Sequence, residues 1–172
     1  MVRSGSKTWL DYSAWTLFSE MTAVISMTSL YQAGGRYFLV PNLPPLGDKP
    51  NYRTNQKYRE EANAFVMKYN PLLEAKLDQL QSLVGITIMR FDTHKLFTAV
   101  IANKSTYKLT NVPDAAFSPD YSTHGGSVGP NPDQYLFWDT THPTRVGHEI
   151  VAESIYDVIQ KTLAAALSDS NG

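Results

Sequence analysis

The sequence contains no cysteine, which excludes disulfides and cysteine-ligated metal centres. It leaves the compartment open, because a domain with a sufficient core can do without disulfides outside the cell. Neither sign of charge is in excess: 15 Lys and Arg stand against 16 Asp and Glu, for a net charge of −1. No Lys/Arg run or basic stripe occurs, which argues against nucleic acid as the main partner. No apolar run has membrane-spanning length, and residues 1–7 carry no apolar signal core. The four histidines, His94, His124, His142 and His148, form no His-x-x-x-His or His-Glu-x-x-His pair, so no metal centre is expected. No Gly-x-Gly-x-x-Gly or Gly-x-x-x-x-Gly-Lys follows a β-rich segment, which removes support for a nucleotide-binding module; no cofactor is expected.

What is present is an ordinary globular composition, 42% hydrophobic and 18% charged. The length of 172 residues fits one domain over 1–172, with about 1–11 and 168–172 disordered. Residues 12–33 read as a helix: Trp15, Phe18, Met21, Val24, Ile25 and Leu30 recur near a 3.6 period until Gly34-Gly35 stops them. Arg36–Pro41 reads as a buried strand, followed by a proline-rich loop over Asn42–Asn51. A second helix is predicted over 55–82, with Tyr58, Ala62, Phe65, Val66, Tyr69, Leu73, Leu77 and Leu80 on one stripe and Pro71 kinking it near Asn70. Val84–Phe91 is a second buried strand, and Asp92 is placed to cap a short helix holding Leu96, Phe97, Val100 and Ile101. Residues 103–134 read as loop, with an edge strand near Tyr107–Val112. The last helix is expected from about Pro143 to Leu167, with Val146, Ile150, Val151, Ile155, Ile159 and Leu163 on its buried side. Two apolar strands joined through a helix imply a parallel βαβ unit, so the fold class is α/β.

Chemistry concentrates in Asp139-Thr140-Thr141-His142-Pro143. A serine esterase needs a base beside its nucleophile and an acid to orient that base. Histidine suits the base, because its charge changes near neutrality. In a tight turn, a spacing of three lets the Asp139 carboxylate accept the proton-bearing ring nitrogen of His142 and leaves the other nitrogen outward. Pro143 suits the first helical position with His142 in the cap slot, where the positive helix end favours the uncharged ring. Taken alone, the same residues also read as an ordinary helix start.

The neighbouring residues decide between these readings. Tyr135-Leu136-Phe137-Trp138-Asp139-Thr140-Thr141-His142-Pro143-Thr144, followed by Gly147-His148-Glu149-Ile150-Val151-Ala152, resembles the last block of GDSL, or SGNH, hydrolases. Leu30–Gly47, ending in Asn42-Leu43-Pro44-Pro45-Leu46-Gly47, resembles the same family's helix-strand-loop, and Tyr69-Asn70 and Thr110-Asn111-Val112 stand in family order. The resemblance covers roughly 20–165 and is nearest to fungal GDSL lipase/acylhydrolases of the carbohydrate-acetylesterase type, with plant GDSL lipases more distant. It implies the C-terminal part of a three-layer α/β/α, flavodoxin-like fold with a parallel sheet. It assigns Asp139 as triad acid and His142 as base, on a small ester or an acetylated carbohydrate. Secretion is implied by the resemblance alone.

The resemblance also implies parts that the sequence does not contain. The family's Gly-Asp-Ser nucleophile block and Gly-x-Asn-Asp oxyanion block are absent, and Ser4-Gly5-Ser6 replaces neither. The chain is therefore expected to begin after those blocks, without the first strand. It is expected to be weakly active or inactive alone, as a truncated remnant or a binding protein, and to self-associate through an exposed sheet edge. Gly125-Gly126-Ser127-Val128-Gly129 matches Gly-x-Ser-x-Gly, which makes Ser127 a substitute nucleophile on paper. That elbow needs a strand before and a helix after, and Ser118-Pro119-Asp120-Tyr121 and Pro130-Asn131-Pro132 suggest neither, so a flexible loop is expected. Ala116 and Gly129 stand near positions where the fungal relatives often have cysteines. Asn42, after a strand, could line a cleft or cap the Pro-Pro turn. Trp138 and Phe137 could line an acyl or sugar pocket, or pack beside the last helix. Arg145 could meet substrate or lie on the exposed helix face; His94, His124 and His148 are expected at solvent or on a helix surface.

Overall fold

The computed structural model describes residues 25–169. The expected disorder of 1–11, and the helical residues Trp15, Phe18, Met21 and Val24, lie outside them. The chain divides into two compact units, one holding residues up to Phe38 with Met67–Ile88, the other Leu39–Val66 and everything from Met89.

In the first unit, helix α1 runs through 25–32. It stops where the sequence places the stop: Gly34 takes φ +102°, a left-handed conformation that favours glycine, and the Gly35 N–H donates to the Leu30 carbonyl at 2.8 Å. Ile25 and Leu30 of the expected apolar stripe are exposed, and Met27 is buried instead. The Arg36 guanidinium lies 4.3 Å from the Tyr31 ring centroid and donates to the Tyr31 and Gly35 carbonyls. Leu73, Leu77 and Leu80 are the buried positions of the helical segment in this unit.

Two strands, β1 (Tyr37–Pro41) and β2 (Thr87–Phe91), pair with each other. The Arg36 carbonyl accepts from Thr87 N and the Phe91 carbonyl from Asn42 N, so partner numbers rise together and the strands run parallel. This is the α/β pattern read from the sequence. β1 is half-buried rather than buried, and Val84, placed in the second strand by its apolar character, is 86% exposed before the left-handed Gly85.

The second unit contains helices α2 (Pro50–Arg53), the first turns of α3 (Gln56–Gln81), α4 (Thr93–Ala102) and α5 (Arg145–Asp169). α3 keeps the 3.6 period expected of it, burying Ala62 and Val66 here, and it continues through Pro71. Asp92 caps α4 as expected, its side chain accepting the Lys95 N–H at 2.9 Å. Phe97 and Val100 then bury against Leu109, Val112, Leu136 and Phe137, with Val146, Ile150 and Val151 of α5 packed around them. The expected apolar stripe of α5 is half-buried from Val146 to Ile159 while Leu163 is exposed, and the helix reaches Asp169, two residues beyond the expected end.

Residues 103–134 depart from the expected loop. They form β3 (Asn111–Ala115), β4 (Phe117–Asp120) and β5 (Gly125–Val128); β3 pairs in parallel with β6 (Tyr135–Phe137), and β4 pairs antiparallel with β5. The expected edge strand is displaced toward the C-terminus, because Lys104–Tyr107 forms a 3-10 turn. Glycine and proline in β4 and β5 disfavour a strand by propensity, yet pairing and packing override it. A Cβ on Gly126 would lie 2.5 Å from the Phe117 ring, so the glycine supplies the space that the ring fills. The Gly129 N–H donates to the Ala116 carbonyl at 2.7 Å. Among the described residues, no helix is long and apolar enough to cross a membrane.

Candidate active site

β6 ends at Phe137, the chain turns through Asp139–His142, and it returns to open α5. Backbone bonds join the two arms of this turn. Trp138 N–H donates to the His142 carbonyl at 2.8 Å, Phe137 bridges Pro143, and Thr144 N–H donates to the Leu136 carbonyl at 2.9 Å. From outside, Phe117 N–H donates to the Trp138 carbonyl at 2.7 Å and Asn51 N–H to the Thr140 carbonyl at 3.0 Å. Helix α2 and strand β4 thus each hold the turn through a backbone bond.

The structure assigns the cap of α5 to Thr144, which corrects the expectation for His142. The Thr144 hydroxyl accepts the Gly147 N–H at 3.1 Å and donates to the Tyr135 carbonyl at 2.7 Å, and the residue is 3% exposed. Pro143 is held by its bridge to Phe137, so the helix begins at Arg145 and His142 stands two residues before the cap. A Cβ on Gly147 would lie 2.8 Å from both the Leu136 carbonyl oxygen and Pro143 Cβ, so only glycine allows α5 to approach β6 this closely.

Within the turn, Asp139 Oδ1 accepts the backbone N–H groups of Thr141 and His142, both at 2.7 Å. Asp139 Oδ2 stands 2.8 Å from His142 Nδ1. Partial burial pushes the Asp139 carboxyl up, but the His142 N–H, the His142 ring and the Thr141 N–H outweigh it and hold the group below the ordinary carboxylate value. Nearby, burial lowers the Lys49 ammonium while the Asp139 charge works against that shift. The His142 side chain is 72% exposed against 33% for Asp139, and Nε2 makes no hydrogen bond among the described residues. With the proton on Nδ1, Nε2 is therefore a free acceptor at the surface.

Trp138, next to the acid, is 39% exposed and stacks on Phe117 with ring centroids 5.7 Å apart and planes 3° from parallel. Phe137 is the one that packs inward, 6.4 Å from the Phe97 centroid. Asn42 is engaged at the start of α4, donating to Asp92 Oδ1 at 2.8 Å and accepting the His94 N–H at 3.0 Å; His94 is consequently half-buried rather than at solvent. Ser127 lies in β5 opposite Ser118, and the preceding Phe117–Asp120 is a strand. The flexible-loop reading is thereby corrected, but a 3-10 turn, not a helix, follows, and the strand-to-helix elbow is not formed. Arg145 pairs with Asp133 at 3.1 Å and with Glu149. A polar cavity of about 420 Å³ lined by Arg53, Gln56, Arg59, Glu60 and Asn63 contains none of these residues. Among the described residues, no group of three or more His, Asp and Glu is placed to hold a metal ion.

Residues 17–155 match the family described as GDSL-like Lipase/Acylhydrolase. The chain is 29% identical over 142 residues to a GDSL esterase/lipase of Arabidopsis thaliana, covering 76% of this chain and 36% of the relative. It is 27% identical over 143 residues to the thermolabile hemolysin of Vibrio parahaemolyticus, covering 77% and 34%. A second Arabidopsis thaliana GDSL esterase/lipase is 29% identical over 152 residues, covering 78% and 41%. The chain thus spans roughly a third to two fifths of the length of the curated relatives it matches.

Proposed function

Because the chain belongs to the GDSL-like lipase/acylhydrolase family, we propose that the Asp139–His142 turn is the acid–base element of carboxylic ester hydrolysis. One observation carries this reading: Asp139 Oδ2 holds His142 Nδ1 at 2.8 Å while two backbone N–H groups fix the other carboxylate oxygen. The carboxylate selects the tautomer with the proton on Nδ1. His142 Nε2 can then take a proton from a serine hydroxyl as it attacks the ester carbonyl, and return it to the leaving alcohol. Asp139, held ionised at neutral pH, stabilises the imidazolium formed in between. The proposal extends to a small acyl group on a carbohydrate alcohol, supported by the exposed Trp138 beside the acid, since an aromatic face suits a sugar ring or acyl chain.

The test is hydrolysis of a short-chain nitrophenyl ester by the full chain, with a fluorophosphonate probe to label an activated serine. Little or no turnover is expected from this chain alone, and any turnover or labelling it does show should be lost in His142→Ala. Turnover indifferent to His142→Ala would overturn the assignment. A second reading, a binding protein on the same fold, is favoured by one observation: no serine hydroxyl reaches Nε2 among the described residues. Absence of both turnover and labelling would support it. If Ser127→Ala removed a genuine activity, β5 would carry the nucleophile.

A further inference from the structure

Asn103-Lys104-Ser105 is the only Asn-x-Ser/Thr tripeptide with x other than proline in the sequence. That pattern is the acceptor for an N-linked glycan and requires an accessible surface segment. The structure supplies one. Asn103 is the C-cap of α4, with φ −122° and ψ 41°, and it opens the 3-10 turn Lys104–Tyr107. All three residues of the tripeptide are exposed. The Asn103 Nδ2 donates to the Ala99 carbonyl at 3.1 Å, and the backbone N–H of the same residue donates to that carbonyl at 2.9 Å. The helix end therefore keeps a partner for its carbonyl when Nδ2 is modified, and a substituted amide retains one N–H for the same bond.

The position also leaves the acid–base turn clear. Lys104 Nζ donates to the Thr110 carbonyl at 2.7 Å, and Thr110 N–H donates to the Gln134 carbonyl at 2.9 Å, so this turn sits where β3 and β6 begin. Asp139 follows the opposite end of β6, roughly 16 Å along an extended chain from Gln134.

We propose that Asn103 is an N-glycan acceptor when the chain passes through a eukaryotic secretory compartment. Asn103 Nδ2 bonds to C1 of the first sugar of a lipid-pyrophosphate-linked oligosaccharide. The bond from C1 to the phosphate oxygen breaks, the lipid pyrophosphate leaves, and the amide loses one proton. The proposal is independent of the catalytic assignment. It is tested by translating the full chain behind a cleavable signal peptide in the presence of microsomes, with protease protection marking the translocated fraction. The protected wild-type chain is expected to carry one glycan, removed by peptide N-glycosidase. Asn103→Gln and Ser105→Ala should lose it, and Ser105→Thr should keep it. A protected wild-type chain at the unmodified mass, or a glycan that persists in Asn103→Gln, would overturn the proposal.

Discussion

Asp139 shows how a carboxylate at a surface turn is kept charged. Burial alone would raise its pKa, but three N–H groups outweigh that and bring the folded value below the unfolded one, about 3.9. The ionised group thus stabilises the fold above the unfolded value, and this contribution is lost as pH falls through the lower folded value. The difference in urea midpoint between wild type and Asp139→Asn is expected to be present at pH 7 and to shrink below about pH 4. In catalysis, Asp139→Asn presents an amide where a proton acceptor is required, so the wrong tautomer is favoured. Any ester turnover the chain shows is expected to fall to background in Asp139→Asn, and turnover unaffected by the substitution would count against the acid role. The pairing of Asp139 with His142 was legible because a three-residue spacing permits it and the residues flanking the turn resemble a known acid–base block; the spacing alone fits a helix start equally well. The engagement of Asn42 was not legible. Its partners, Asp92 and His94, stand about fifty residues away, and no local pattern announces a bond of that span.

Among the elements, α5 is fixed to β6 by two small residues. Thr144→Ala removes a helix cap and leaves the Tyr135 carbonyl without its hydroxyl donor, at a cost of about 1–2 kcal/mol in chemical denaturation. For Gly147→Ala two effects oppose. Alanine gains about 1 kcal/mol of helix propensity, but its Cβ meets a backbone carbonyl and a proline ring that cannot swing aside. Overpacking costs about 1–3 kcal/mol, so net destabilisation is expected in chemical denaturation. A gain in stability would mean that α5 slides freely on β6. Helices α3 and α4 were legible from apolar spacing, since burial imposes the period that the sequence carries. The hairpin β4–β5 was not, because Gly125-Gly126 and Pro119 disfavour strand. Gly126 serves the ring of Phe117, a contact invisible to any local rule. The true start of α5 was missed for a related reason: Pro143 suits a first helical position by conformation, yet its bridge to Phe137 delays the helix to Arg145.

At the scale of the molecule, the parallel pairing of β1 with β2 follows from the order of apolar segments, while the second parallel pair, β3 with β6, was hidden in a proline-bearing stretch. Self-association through an open edge of the two-stranded β1–β2 sheet is predicted to show as a weight-average mass that rises with concentration in light scattering. A constant monomer mass would count against it. The doubled-back segment from Tyr135 to Gly147 has a different consequence, for the time course of folding. The bonds internal to the acid–base turn span nine residues or fewer, so closing them costs little chain entropy and their contact order is low, whereas those from Asn51 and Phe117 are long-range. The geometry around His142 can therefore assemble early and reassemble quickly after local opening, ahead of the distant pairings that surround it.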